Sequence, residues 1–190
     1  MRNITVGFAM CGSFCNFEHA FAAMQQLKDA GYSLLPIFSE AAARPDTRFG
    51  LAADHVARAE RIAQRKAVLD IAAAEPIGPK KLCDILVVCP CTGSTLAKLA
   101  AGMSDGTVPL AVKSHLRGGR PVLICLASND ALAASAKNLG ELLCRRHYWF
   151  LPMRQDDPVG KPTSLVADFA QLPQAVEVAL AGVQLRPLFL

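Results

Sequence analysis

The amino-acid sequence predicts an α/β protein, a three-layer α/β/α sandwich around a parallel sheet. Three observations lead there. Apolar, β-branched runs such as Ile85-Leu86-Val87-Val88 alternate along the chain with stretches whose apolar residues recur at helical spacing. Those runs are continuously apolar, as strands covered on both faces are. Strand followed by helix, repeated, gives parallel strands joined by right-handed crossovers.

The elements follow in order. Residues 4–10 read as the first strand. Phe17, Ala20, Phe21, Met24 and Leu27 then form a helical stripe that ends at Gly31, a residue suited to the position just past a helix. Residues 32–38 form the second strand, and 51–74 one long amphipathic helix closed by Pro76 and Gly78. Residues 84–89 are the third strand. The helix behind it, 94–103, carries Leu96, Leu99, Ala100 and Met103 on one face. A short helix covers 108–116, and Gly118-Gly119-Arg120-Pro121 breaks the chain before the fourth strand at 122–126. Asn129-Asp130 is expected to cap a helix reaching residue 146, with a fifth strand at 149–153 and a loop at 156–162. Short helices start from Thr163 and from Pro173, where a proline suits the first helical position.

Composition narrows the function. A chain of 190 residues, 52% hydrophobic and 19% charged, is expected to form a single domain, 1–190, with a large core. No apolar run has the length of a membrane span. Met1-Arg2-Asn3 leads straight into a strand without signal-peptide features, so a cytoplasmic chain is expected. The net charge of +4 comes from basic residues scattered singly or in pairs, without interleaved aromatics. That pattern argues against nucleic acid and suits a small anionic substrate. The seven cysteines are odd in number, and Cys11/Cys15 and Cys89/Cys91 lack zinc spacing, so neither a disulfide framework nor a metal site is expected.

In such a sheet a ligand lies beyond the carboxyl ends of the strands. The loops there are 10–16, 39–50, 90–94, 127–130 and 153–162, and nearly every chemically loaded residue falls in one of them. In Pro90-Cys91-Thr92-Gly93-Ser94-Thr95 the hydroxyls of Thr92, Ser94 and Thr95 sit where the first N–H groups of a helix point. That arrangement holds a phosphate or simply caps the helix. Gly12-Ser13 offers backbone N–H groups and a hydroxyl before another helix, without the glycine spacing of a dinucleotide fingerprint. Arg48 is either a fork for a carboxylate or a solvated surface residue. His55 lies on the apolar stripe of its helix, as a packed residue or a catalyst. Asn129 and Asp130 suit a heterocycle edge or a cap; Gln155, Asp156 and Asp157 suit acid–base work or a solvated turn. Neither a Gly-x-Ser-x-Gly elbow nor a Cys–His pair speaks for hydrolase chemistry.

These residues resemble the small flavoprotein family that includes phosphopantothenoylcysteine decarboxylase and the lantibiotic cysteine decarboxylases. The family's Gly-x-x-Gly-Ser first loop appears as Met10-Cys11-Gly12-Ser13. Its Pro-x-Thr-x-Asn-Thr-x-x-Lys-x-x-x-Gly-x-x-Asp motif runs from Pro90 through Thr92, Ser94, Thr95, Lys98 and Gly102 to Asp105. Ser94 stands where the motif has Asn, and Leu126-Ala127-Ser128-Asn129 replaces the decarboxylases' Pro-x-Met-Asn. More closely, the chain resembles the dipicolinate synthase B subunits of spore-forming bacteria over essentially its full length. Thr47-Arg48-Phe49-Gly50, Ala74-Glu75-Pro76-Ile77-Gly78-Pro79-Lys80, Ser128-Asn129-Asp130-Ala131-Leu132 and Gln155-Asp156-Asp157-Pro158 carry that resemblance.

The resemblance implies a flavodoxin-like, Rossmann-like sheet with an FMN site held by Gly12, Ser13, Ser39, Pro90, Thr92, Ser94, Thr95 and Asn129. It implies a Rossmann-type partner, the dipicolinate synthase A subunit, to which NADP is linked, and a homo-oligomer, trimer or dodecamer. Together the two proteins oxidise a dihydrodipicolinate to dipicolinate. Arg48 and Lys113 are then the cations for the dicarboxylate substrate, and Asp156, Asp157 and His55 the groups for proton transfer. The alternatives are a stand-alone FMN-dependent decarboxylase of cysteinyl substrates and a non-catalytic scaffold subunit.

Overall fold

Hydropathy period and strand order together decide where ligands bind. A computed structural model describes residues 4–190, so Met1, Arg2 and Asn3, which the sequence places ahead of the first strand, lie outside the described residues. Strands β1 (Thr5–Met10), β2 (Ser33–Phe38), β3 (Ile85–Cys91), β4 (Val122–Ser128) and β5 (Tyr148–Phe150) are parallel. Their order is β2-β1-β3-β4, with β5 beside the first half of β4. This is the flavodoxin-like order, which reverses direction between β1 and β3 and opens a crevice there.

Two strands the sequence did not announce complete a mixed sheet of seven among the described residues. β6 (Met153–Arg154) and β7 (Leu165–Ala167) form an antiparallel pair, and β7 joins the far end of β4 through Ala127↔Val166 and Ser128↔Leu165. The expected strand at 149–153 is thereby split, and the expected helix at Thr163 is β7 instead. The physical reason is pairing: β5 covers β4 only to Ile124, and β7 takes up the backbone groups beyond it.

Central strands are buried throughout, and their alternate residues feed two separate cores. Val87 and Cys89 face α1 (Phe17–Asp29), α3 (Ala52–Ala63) and α8 (Leu172–Leu180), whereas Leu86 and Val88 face α5 (Gly93–Ala100), α6 (Thr107–Leu116) and α7 (Ala136–Leu143). Two short helices, α2 (Glu40–Ala43) and α4 (Ile71–Ala74), fill connections. Among the described residues no helix is long and apolar enough to cross a membrane.

The single helix expected over 51–74 is broken. α3 ends where Gln64 takes a left-handed conformation (φ 54°). Val68 then lies along the free edge of β2: its N–H donates to the Pro36 carbonyl at 2.9 Å, and its carbonyl accepts the Phe38 N–H at 2.9 Å. Satisfying an open strand edge outweighs continuing a helix. Asp70 restarts the helix by accepting the Ala73 N–H at 2.8 Å. The helix expected after Asn129-Asp130 likewise starts later, at Ala136, because the Asp130 carboxylate accepts the hydroxyls of Ser128 and Ser135 instead of capping.

At the opposite end of the sheet, α6 buries His115. Its Nε2 lies 3.1 Å from the Pro121 carbonyl and its Nδ1 3.5 Å from Cys83 Sγ. Burial, reinforced by the nearby Arg120 guanidinium, pushes its pKa down to about 4. The unfolded chain binds this proton near pH 6.5 and the folded chain only near 4, so the unfolded state carries more protons in between. Stability is therefore lost as pH falls through that window, by up to about 3 kcal/mol. Urea midpoints at pH 7 and pH 4.5 check this, and the difference attributable to the histidine disappears in His115→Gln.

Candidate functional site

At the carboxyl ends of β1, β3 and β4 the chain shapes two neighbouring clefts, with the first loop between them. Gly12 lines the smaller cleft and Ser13 the larger. The Cys11 N–H donates to the Pro90 carbonyl at 3.2 Å, which ties this loop to the buried end of β3.

The smaller cleft, about 350 Å³, is walled by Gly12, Ser39, Glu40, Thr92, Ser94, Thr95 and Lys98. Thr92 leaves β3 in extended conformation and its Oγ1 accepts the Thr95 N–H at 3.1 Å, so α5 begins with a capped turn aimed at the cleft. A Cβ at Gly93 would lie 2.7 Å from Ser128 Oγ and 2.8 Å from Asp130 Oδ1, so a larger residue there would displace the Ser128–Asp130–Ser135 network. Ser39 caps α2 by accepting the Ala42 N–H at 3.3 Å. Glu40 reaches across to α6, where its carboxylate accepts the Thr107 N–H at 2.9 Å and the Thr107 hydroxyl at 2.7 Å. Burial works upward on this carboxyl, but the Thr107 hydroxyl and the backbone N–H groups of Glu40 and Thr107 hold it below the usual range. The Lys98 ammonium pairs with Asp105 at 3.0 Å.

These donors fit the phosphate end of a mononucleotide-type cofactor. They are hydroxyls, the first N–H groups of α5 and one ammonium, and the Glu40 charge is met by the start of α6.

The larger cleft, about 550 Å³, brings residues from four distant segments together: Ser13 and His19, Asn129, Arg154 with Asp156 and Lys161, and Phe169. Arg154 donates to Asp168 at 2.8 Å, and the Gln171 amide donates to the same carboxylate oxygen at 3.0 Å. Lys161 donates to Asp156 at 2.8 Å and the Ser164 hydroxyl to its other oxygen at 2.6 Å. The Lys161 ammonium, and after it the Ser164 hydroxyl, hold the Asp156 carboxyl below the usual carboxylate range. His19 stacks on Phe169 with ring centroids 6.2 Å apart and planes 13° from parallel.

The residues singled out from sequence distribute unevenly over this site. Gly12, Ser39, Thr92, Ser94 and Thr95 meet in the smaller cleft, and Ser13, Asn129 and Asp156 in the larger. Pro90 is buried in β3 behind them. Asp157 lines neither cleft; it accepts the Gly160 N–H at 2.8 Å and closes its own turn. His55 is packed between Phe17 and Phe21, ring centroids 4.9 and 6.0 Å away, and also lines neither. Arg48 is exposed with its guanidinium 4.8 Å over the Phe49 ring, and Lys113 lines a separate groove with Leu99, Met103 and Tyr148. The cations beside Asp156 are Arg154 and Lys161, which sequence reasoning passed over although they flank the acids it singled out. His19 and Glu40 carried no sequence signal, and Asp168 stood only in a resemblance-bearing segment, Lys161 to Asp168, without a role, since only the folded loops bring them to the clefts.

Comparison with known proteins shows the family. The family model described as Flavoprotein matches residues 1–156. The dipicolinate synthase B subunit of Bacillus subtilis (strain 168) is 37% identical over 188 residues, 99% of this chain and 94% of that one. The crystal structure of the corresponding B subunit from Bacillus halodurans superposes with a TM-score of 0.89 at 34% identity, covering 98% of this chain and 96% of the other. Burkholderia xenovorans DmrB in complex with FMN shares the fold alone, with a TM-score of 0.70 at 16% identity over 95% of this chain and 97% of that chain. With the motif-bearing turn, the strand order and both full-length likenesses in agreement, the chain belongs to the flavoprotein family and, within it, to the family of dipicolinate synthase B subunits.

Proposed function

We propose that this chain is the flavin-site component of a two-component, cytoplasmic dipicolinate synthase, working with an NADP-linked, Rossmann-type A subunit. One observation carries the reading. Two clefts share the first loop, one furnished with hydroxyl and N–H donors and the other with a guanidinium and an ammonium, in a chain 37% identical to a B subunit over 99% of its length. Ser39, Thr92, Ser94, Thr95 and Gly12 would hold the phosphate of FMN, with Ser13 and Asn129 toward the larger cleft. A bound flavin supplies a two-electron hydride acceptor.

The chain's own residues bind and orient the substrate. A dihydropyridine dicarboxylate carries two anionic groups, and the Arg154 fork suits one carboxylate while Lys161 offers a point charge to the other. Each cation is itself about half exposed and is held beforehand by a partly buried aspartate, which a substrate carboxylate can replace as its partner. The chain forms a homo-oligomer, trimer or dodecamer.

The test is to purify the full chain, record its visible spectrum with added FMN, and assay pyridine-2,6-dicarboxylate formation with and without an A subunit. A yellow chain and synthesis that needs both proteins are expected. A chain that retains no FMN removes the cofactor assignment, and full synthesis by the isolated A subunit overturns the catalytic role. Partner-free CO₂ release from a cysteinyl substrate would instead establish a decarboxylase.

A further inference from the structure

Proton removal in the larger cleft needs a basic group that is not already engaged. Asp156 keeps the Ser164 hydroxyl, and Asp168 the Gln171 amide, as hydrogen-bond donors even when Lys161 and Arg154 turn to substrate carboxylates. Cys15 Sγ lies 3.3 Å from the Asn16 amide that donates to it. His19, from the exposed face of α1, lines the same cavity and makes no hydrogen bond or ion pair among the described residues. Its contact there is the near-parallel stack on Phe169. This contact engages the ring face and leaves its edge free, and the nitrogen lone pair lies in that edge. The charged groups around it are Glu18 on its own helix and Arg154, Asp156, Lys161 and Asp168 across the cavity.

We propose that His19 is the proton acceptor of this site, acting on a dihydropyridine-2,6-dicarboxylate seated between the Phe169 stack and the Arg154 and Lys161 cations. This assignment rests on the function proposed above. Aromatisation breaks two bonds to hydrogen. One C–H bond breaks with its electron pair leaving as hydride to a two-electron acceptor of the flavin or nicotinamide class. The other hydrogen leaves as a proton to an imidazole nitrogen of His19, and its bonding pair stays in the ring and completes the aromatic π system. The pyridine dicarboxylate that results carries two hydrogens fewer, and the imidazolium returns its proton to solvent through the open cavity.

The decisive variant is His19→Gln, at an exposed position where the fold is not at stake. With the A subunit present, its rate of pyridine-2,6-dicarboxylate formation is expected to fall by about 100-fold or more, the range for loss of a general base. Its dissociation constant for pyridine-2,6-dicarboxylate, measured by calorimetry, is expected to stay within about threefold, the general base acting in the step and not in binding. A second readout does not depend on turnover. In the NMR spectrum of the wild-type chain, the His19 ring resonance, assigned by its loss in His19→Gln, should move as pyridine-2,6-dicarboxylate is added, while that of buried His115 stays. An unchanged rate in the variant, or a His19 resonance that does not respond to the ligand, overturns the assignment. If the two proteins together make no more product than the isolated A subunit, the proposed function fails, and the resonance still decides whether His19 meets the ligand.

Discussion

Replacing Arg154 with methionine is expected to weaken binding of pyridine-2,6-dicarboxylate by about 10- to 100-fold. Hydrogen bonds to charged groups contribute about 1.5–3 kcal/mol each, and about 1.4 kcal/mol is a factor of ten. Methionine keeps the apolar stem and deletes the fork. The existing pair with Asp168 does not compensate, because the arginine side chain is 54% exposed in that pair and such pairs contribute little. The opposite change supplies the control: Asp168→Asn removes the internal competitor for the guanidinium and should tighten binding. Calorimetric titration of both variants at fixed salt checks the pair. Equal affinities for wild type and Arg154→Met would remove the larger cleft as the dicarboxylate site.

The second large effect concerns stability, far from the clefts. Gly78→Ala is expected to cost about 3 kcal/mol, the upper end for overpacking, and to lower the melting temperature by about 10 °C. A Cβ at residue 78 would run into the backbone carbonyl of Ser114 as well as its hydroxyl, so a side-chain rotation cannot relieve it. The same glycine donates its N–H to Ser114 Oγ at 2.9 Å, and its carbonyl accepts Arg120 Nη2 at 3.0 Å. The close approach thus seats α6 and the half-buried Arg120 together. Thermal unfolding measures the loss. Ser114→Ala in the same background should not rescue it, because the obstructing carbonyl remains.

Strand β3 and the turn into α5 were legible in the sequence because both rest on local chemistry: a continuous apolar run, a hydroxyl at the cap and small residues behind it. The same is true of the smaller cleft, whose Ser39, Thr92, Ser94 and Thr95 belong to helix starts. What was not legible depends on distant pairing. Val68 breaks a plausible long helix only because the edge of β2 lies beside it. The strands β6 and β7 have two and three residues, too short for any alternation to register. With them went the larger cleft, since Arg154, Lys161 and Phe169 reach His19 only once that hairpin is in place. Arg48 and Lys113 looked suitable by charge alone, and charge does not say which way a loop faces.

β4 serves two neighbours in succession, β5 along Val122 to Ile124 and β7 at Ala127 and Ser128. The wall of the larger cleft is therefore attached at the tip of one strand, anchored by Met153 and Leu165 in one core and Ala167 in the other, with the loop between them facing the cleft. Exchanges or insertions between residues 155 and 164 can reshape what that wall admits while the parallel registers stay as they are, and lengthening such a connection carries a small entropic penalty. In evolutionary terms, the loop at 155–163 can vary while the buried strand residues that anchor it stay fixed. A redesign that seeks a different small molecule has one exposed loop to rewrite, with the strands on either side of it left alone.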